Sequence, residues 1–206
     1  MRIFFRVALA SIVLALVACA PATVPDVTYY RLPPPAPVPH SDKPLSLLPV
    51  EVSIFRGEGI YAEQALIYAV GSDAGSLRTY HYQLWSEPPS SGLQAHMILL
   101  LRDSGVFSLV TNRLPASNQA LRVRSEILRY ERVKQDSGAY SAMVAFAIRV
   151  EQGDGEPVLE QTYRAEQAAP DATMEGSIRA FGQAVDTAFG KFYADLVALR
   201  TGTHAG

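Results

Sequence analysis

Cys19 is the only cysteine among the 206 residues, and its thiol is the side chain with the clearest covalent chemistry in the sequence. A thiolate is a nucleophile and a metal ligand, but a single thiol forms no internal disulfide and a structural zinc site needs four ligands. Arg2, Arg6 and the apolar run Val7–Val17 come just before it and are typical of an export signal. The run is shorter than the ~20 apolar residues that span a bilayer. The chemistry of Cys19 is therefore linked to export.

Two cleavage sites compete around this cysteine. Ala18-Cys19-Ala20 fits the small-x-small pattern of ordinary signal peptidase, whereas Leu16-Val17-Ala18-Cys19 resembles the lipobox of bacterial lipoproteins. Ordinary cleavage would leave Pro21 first, and proline constrains the backbone at the scissile bond. We therefore predict a signal peptide over 1–18 and a thioether between Cys19 and diacylglycerol, with an acylated amino terminus, since stable anchoring needs at least two chains. The alternative is a small buried thiol in an ordinary signal peptide.

Other residue types offer no catalytic or metal-binding pattern. The four histidines show no paired ligand spacing, and there is no second cysteine. The stretch "GSDAGS" lacks the G-x-S-x-G pattern, and Gly190-Lys191 has no glycine-rich phosphate loop before it. Asp154 and Glu156 lie in a predicted turn, where solvated charge is usual. We predict a protein that is not an enzyme, with no catalytic residue, no metal and no cofactor.

The aromatic stretch "YHYQLWSEPP" is the second candidate site, with Tyr80, Tyr82, Trp85 and Pro88 as its members. In one interpretation Trp85 fills space beneath the following helix and the tyrosines pack on a sheet. In the other the stretch is exposed and contacts a partner, since tryptophan and tyrosine are common at binding hot spots. Strand alternation predicts Tyr80 and Tyr82 on one face and Trp85 on the other. We favour the structural role for Trp85 and expect partner contact at the loop 71–76.

Charge and length limit the class of protein. The formal charge of −2 becomes −4 when the two arginines of residues 1–18 are removed. Lysine and arginine are scattered singly, which argues against a nucleic-acid partner. About 165 residues remain after the signal and a tether, which is enough for one core. We expect a single folded domain over 45–200 and a disordered tail over 201–206.

The segment 19–44 is rich in proline and is predicted to be a tether. Its prolines favour extended polyproline, a semi-rigid spacer of ~3.1 Å per residue. The β-favouring stretch 27–32 inside it is expected to add a short strand to the body, whereas Pro33 to Pro39 is expected to be disordered. The segment would then hold the body away from a membrane.

Periodicity in the body predicts an α+β fold with a mostly antiparallel sheet packed by two main helices. The expected strands are 45–55, a hairpin of 64–70 and 77–85, a short strand 106–110, and a meander of 121–133, 140–150 and 157–166. The first helix starts at Pro88-Pro89 and ends at Gly105, and the long C-terminal helix covers 173–200 with Asp171 or Thr173 as its cap. Two adjacent apolar residues, Ile127 and Leu128, predict a β-bulge.

Taken together, these segments resemble the ABC-type transport auxiliary lipoprotein family, which includes PqiC-like intermembrane transport lipoproteins. The resemblance rests on the lipobox, "YYRL", "YHYQLWSEPP", "SGVFSLV", the meander and the terminal helix. It covers residues 29 to about 199. The spacing of Tyr80, Trp85 and Pro88 is its most specific part, because the lipobox is shared by many unrelated proteins.

The resemblance implies a non-enzymatic periplasmic lipoprotein that works with MCE-domain proteins and the permease and ATPase of an ABC transporter to move lipids or other hydrophobic molecules between membranes. A homo-oligomer is compatible with this role. Ala20 replaces the aspartate that retains many lipoproteins at the inner membrane, so an outer-membrane anchor is expected. The alternative is a lipoprotein that carries lipid in its own apolar cavity.

Overall fold

The computed structural model describes residues 25–42, 44, 46–70, 75–115, 119–153 and 155–202. Within these ranges the chain forms one nine-stranded sheet and two long helices. The helices pack on one face of the sheet, and the buried apolar side chains form one core between the two layers. The expected α+β class is confirmed.

The strands and helices follow one another in this order: β1 Thr28–Tyr30, β2 Val50–Val52, β3 Arg56–Gly57, β4 Ala65–Val70, β5 Leu77–Trp85, α1 Pro89–Asp103, β6 Val110–Thr111, β7 Leu121–Lys134, β8 Tyr140–Gln152, β9 Glu156–Ala168 and α2 Met174–Gly202. A 3₁₀ turn, Gly59–Ala62, connects β3 to β4.

Strand β7 is the central strand of the sheet. Three short strands lie one after another along one of its edges, and all three run parallel to it: β2 opposite Val123, β3 opposite Ile127 and β4 opposite Val133. Strand β8 pairs antiparallel with its other edge. Because β7 is long, β2, β3 and β4 can each pair with a different part of it. No hairpin is needed between these three strands.

The expectation of a mostly antiparallel sheet was wrong. In the described part of the chain, five of the eight strand pairings are parallel. The antiparallel pairings are the β4–β5 hairpin and the β7–β8–β9 meander, both between strands that are adjacent in the sequence. The parallel ones join strands distant in sequence, and local turn signals carry no information about such pairings.

The meander and its bulge are confirmed. Strands β7, β8 and β9 pair over almost their whole length, and the register of β7 against β8 shifts between Ile127 and Arg129. Leu128 is the residue left without a partner at this shift. One face of β7 therefore remains apolar on both sides of the bulge, with Ile127 before it and Tyr130 after it, both buried.

The predicted strand 45–55 is divided in two. From Val52 to Arg56 the chain advances four residues while its partner advances three, from Val123 to Glu126. The extra residue allows Phe55 to enter the core, where its ring meets Phe146 and Phe189 at 5.7 Å. Ile54 is 58% exposed instead. The short strand expected at 106–110 is observed only as Val110–Thr111.

Both ends of α1 and the start of α2 follow capping chemistry. Helix α1 has Pro89 in its first turn, where proline's missing amide costs nothing, and Gly105 follows it at φ +66°. Before α2, the Thr173 hydroxyl accepts a 2.9 Å hydrogen bond from the Gly176 amide, so Thr173 is the N-cap. The predicted apolar stripe of α2 is buried from Ile178 to Leu196.

The part of the predicted tether that the structure describes lies on the body. Pro33 packs over Gly182 of α2, where an added Cβ would meet the proline ring at 2.9 Å. The Tyr193 hydroxyl donates to the Pro39 carbonyl at 3.2 Å, and the Ser41 amide donates to the Ser104 carbonyl at 2.7 Å. Residues 31–42, which we name the strap, therefore cross both helices. Proline suits this segment because a fixed extended backbone loses little entropy on docking.

Candidate functional site

A groove opens where residues 53–57 leave and rejoin the sheet beside β7. Its volume is about 840 Å³, within the range of ligand and peptide sites. The segment between β2 and β3 forms one wall, and β7, β8 and β9 supply the rest. The lining side chains include Ser53, Ile54, Arg56, Ala62, Arg124, Ser125, Glu126, Ala147, Arg149 and Glu160.

Alternation places the charged residues of this groove on the face of the sheet opposite the helices. On β7, buried Val123, Ser125 and Ile127 face the helices, so Arg124 and Glu126 face outward. Arg149 lies directly opposite Arg124 on β8. Two like charges in this position repel each other unless an anion is shared between them.

Glu151 supplies the shared anion. Its two carboxylate oxygens lie 2.7 Å from Arg124 Nε and 2.9 Å from Arg149 Nε. Further ion pairs join Arg56 to Glu126 at 2.9 Å and Arg149 to Glu160 at 3.6 Å. Three arginines thus face three glutamates, and the charges at the groove balance.

The groove also offers an apolar group to a partner and has a buried serine beside it. Ile54 is more than half exposed at its wall, and Ala147 contributes only a small side chain to its lining. Ser125 is 7% exposed, and its Oγ has no hydrogen-bond partner. A buried hydroxyl without a partner costs free energy, so Ser125 lowers the stability of the strand beside the groove.

A buried carboxylate, Glu131, contacts the 3₁₀ turn that follows the wall of the groove. Glu131 is 1% exposed, accepts a 2.7 Å hydrogen bond from the Tyr61 hydroxyl and forms an ion pair with Arg129. Burial, and then the bond to Glu131, raise the pKa of Tyr61. Gly57 lies above Tyr61, where an added Cβ would be 2.4 Å from the Tyr61 carbonyl. The position of Arg56 is therefore set by close backbone contact.

This arrangement suits binding. The groove residues supply paired guanidinium and carboxylate groups and an exposed isoleucine. Within the ranges that the structure describes, no three side chains of His, Cys, Asp or Glu come together as metal ligands. No helix in the same ranges is long and apolar enough to cross a bilayer.

The aromatic stretch predicted from sequence is divided between core and surface. Trp85 is 4% exposed and lies among Tyr130 and Phe181. Tyr80 also packs against the core, and its hydroxyl accepts a 2.7 Å bond from Arg132. Tyr82 is exposed, and Pro88 lies just before α1.

The predicted alternation of Tyr80 against Trp85 was wrong. Both contact the core although they are five positions apart, an odd number that places them on opposite faces of a regular strand. The register of β5 against β4 shifts in this interval, between the pairs Ala65–Leu84 and Ile67–Thr79. A strand that shifts register can turn residues of opposite parity to the same face.

One other predicted site lies outside the residues that the structure describes, and another is described only in part. Cys19 lies outside the described residues, as do 71–74 of the loop expected to contact a partner. Gly75 and Ser76, which end that loop, are exposed. Their roles stay predictions.

Sequence reasoning missed the groove. Its signal is the alternation Arg122-x-Arg124-x-Glu126, which places charges on the outward face of a strand whose other face is apolar. The contribution of residues 53–57 could not be foreseen, because it depends on the division of the predicted strand.

Two long helices packed on one face of a mixed sheet, with charged side chains on the other face, make up this α+β body. The sequence profile of the ABC-type transport auxiliary lipoprotein component matches residues 30–189, and the chain belongs to this family. The resemblance noted in the sequence is thereby confirmed. The family's role is that of an auxiliary lipoprotein in transport.

Solved structures share the fold. A protein from Xanthomonas campestris superposes with a TM-score of 0.72 at 17% identity, covering 87% of this chain and 100% of its own. An uncharacterised protein superposes with a TM-score of 0.64 at 12% identity, covering 84% of this chain and 99% of its own. At these identities the likeness concerns the fold. No protein with a curated function is detectably similar to this chain.

Proposed function

We propose that this chain is a lipid-anchored, non-enzymatic subunit of an ABC/MCE-type system that moves lipids or other hydrophobic molecules between membranes. Cys19 carries the anchor in the outer membrane, the body faces the periplasm, and the groove docks a protein component of the transporter. Membership of the auxiliary lipoprotein family over residues 30–189 is the observation that carries this proposal.

The chemistry of the groove favours a protein partner over an enzyme substrate. Its charges are already paired, so a partner gains specificity by matching the pattern of arginine and glutamate rather than by neutralising a net charge. Ile54 supplies the apolar contact.

The docking claim is tested with the purified periplasmic part of an MCE-domain protein from the same organism. Isothermal calorimetry with the full-length lipoprotein in nanodiscs should show binding that Ala147→Glu abolishes, because the added carboxylate blocks the groove. Leu109→Glu is the matched control, since Leu109 is 50% exposed and does not line the groove. Equal binding by both variants would overturn the docking claim.

The anchor claim is tested by Cys19→Ala. The variant should leave the membrane fraction and appear in the periplasm with an unchanged melting temperature, because residue 19 precedes the folded body. Retention in the membrane with acyl labelling would contradict the claim. Sucrose-gradient separation of the two membranes, done on the unmodified protein, decides between outer and inner anchoring.

The second candidate is that the body itself carries lipid. The groove volume favours it, because about 840 Å³ could accommodate a small ligand. Native mass spectrometry of the body without residues 1–24 separates the two candidates. Bound lipid supports carriage, whereas a lipid-free body that still binds the MCE-domain protein supports docking.

A further inference from the structure

Because the strap is docked on the body, only a short tether connects the body to Cys19. The length of this tether limits how the body can lie at a membrane. Strand β1 is paired with β5 from Thr28 onward, and the strap follows at once. Only nine residue steps separate Cys19 from Thr28. Fully extended, such a segment reaches at most ~32 Å, and as a flexible chain it averages ~17 Å. A spacer that ended at residue 44 would have reached ~80 Å.

The first side chains after this tether form an exposed patch. Val27 is 45% exposed, Tyr29 is 60% exposed and Tyr82 is 36% exposed. The register pairs Thr28 with Gln83 and Tyr29 with Leu84. Val27 and Tyr82 each lie one residue before the first pair, so the three exposed side chains are neighbours at the β1–β5 edge of the sheet. Tyr30 and Trp85, of the opposite parity, point to the core.

We propose that this patch, Val27, Tyr29 and Tyr82, lies against the phospholipid surface that holds the anchor. The inference rests on the proposed lipidation of Cys19. Tyrosine has an apolar ring and a polar hydroxyl, which suits it to the boundary between headgroups and acyl chains.

Charge and geometry support a bilayer as the occupant. Arg31 is exposed two residues beyond Tyr29, on the same face, where it can meet headgroup phosphates. Asp26 is also exposed and stays in headgroup water. A tether of this length confines the patch near the membrane, so a weak contact is sufficient.

The far edge of the sheet lies well away from this patch. The strands follow the order β1, β5, β4, β7, β8 and β9, so β9 lies five strand spacings, or ~24 Å, from β1. On β9, Gln161 lies opposite buried Ile148, so Gln161 is on the helix side of the sheet, and the patch is on the other side.

Single-cysteine labelling of the lipidated, full-length protein in phospholipid vesicles tests the orientation. Because the Cys19 sulfur is consumed as a thioether, Tyr29→Cys introduces the only free thiol. A fluorophore there should shift its emission to the blue and lose intensity when the vesicles contain headgroup-nitroxide lipid. Gln161→Cys on exposed β9 is the matched control and should show neither change. Arg31→Cys is a second reporter and should behave as Tyr29→Cys does.

Three outcomes overturn the inference. Equal quenching at residues 29 and 161 means that the body has no preferred orientation. If the protein floats with the vesicles but the probe at residue 29 is not quenched, the patch faces water, a protein or a second copy. The lipid anchor at Cys19 is then still supported. Protein that fails to float with the vesicles refutes the anchor itself, and with it both the inference and the anchoring part of the proposed function.

Discussion

The indole of Trp85 meets the ring of Phe181 edge-on, with centroids 5.2 Å apart and planes at 83°. This contact joins the end of β5 to the first third of α2, two elements almost a hundred residues apart in the sequence. Tyr130 of β7 stacks on both rings, at 5.2 Å from Trp85 and 4.9 Å from Phe181. The three rings fix the helix to the sheet.

Trp85→Ala should lower the free energy of unfolding by ~3–5 kcal/mol, as deletions of large buried aromatic side chains do. Urea denaturation measures the loss. Tyr82→Ala, three residues earlier and exposed, should change stability by at most ~0.5 kcal/mol. An unchanged melting temperature in Trp85→Ala would refute the structural role of this residue.

Arg132→Met should destabilise the protein by about 3 kcal/mol, since hydrogen bonds to a buried charged group contribute ~1.5–3 kcal/mol each. The guanidinium donates to Ser177 Oγ, the Tyr80 hydroxyl and the Ala172 carbonyl at 2.7–2.8 Å, and it lies over the Tyr140 ring. Arg179→Met is the control, because Arg179 is exposed and forms a surface ion pair with Asp171. Similar melting temperatures for the two variants would contradict the prediction.

Ser125→Ala should leave stability unchanged or raise it by up to ~1 kcal/mol, because it removes a buried hydroxyl that has no partner. Ser177→Ala provides the comparison. Its hydroxyl accepts from Arg132 and donates to the Thr173 carbonyl, so its loss should cost ~1–2 kcal/mol. If Ser125 contacts the transporter partner, Ser125→Ala should also weaken binding, and a variant that binds normally would exclude that contact.

Stability should fall at alkaline pH. Burial raises the pKa of Tyr61, Tyr130 and Tyr163 above the usual value near 10, with bonds to Glu131 and Asp195 adding to the shift for the first and last. The folded state therefore holds these protons more tightly than the unfolded state does. Their contribution to stability is complete below about pH 10 and is lost as the pH rises above it.

Tyrosinate absorbance followed together with circular dichroism checks this prediction. The late-ionising tyrosines should deprotonate only as the protein unfolds, and Tyr130→Phe should remove one of them while it keeps the ring contacts. Complete ionisation of every tyrosine in a protein that is still folded would contradict the assignment.

Local signals determined much of the fold. The hairpin of β4 and β5, the meander, the bulge at Leu128, the N-cap at Thr173 and the apolar stripe of α2 all depend on residues close together in the chain, and the sequence predicted each of them. The family was also recognisable, because the spacing of Tyr80, Trp85 and Pro88 lies within one strand and the start of one helix.

The tertiary structure decided what depends on distant partners. Strands β2, β3 and β4 run parallel to β7 because a long strand offers an edge to the segment 50–70, and no local pattern shows which edge is free. The side chain of Phe55 enters an aromatic cluster formed by residues of β8 and α2. This inward rotation divides the predicted strand and opens the groove. The strap is ordered because Gly182 leaves room for Pro33 on a helix 149 residues later. Composition predicts that a proline-rich segment is extended, but only the surface it meets determines whether it docks.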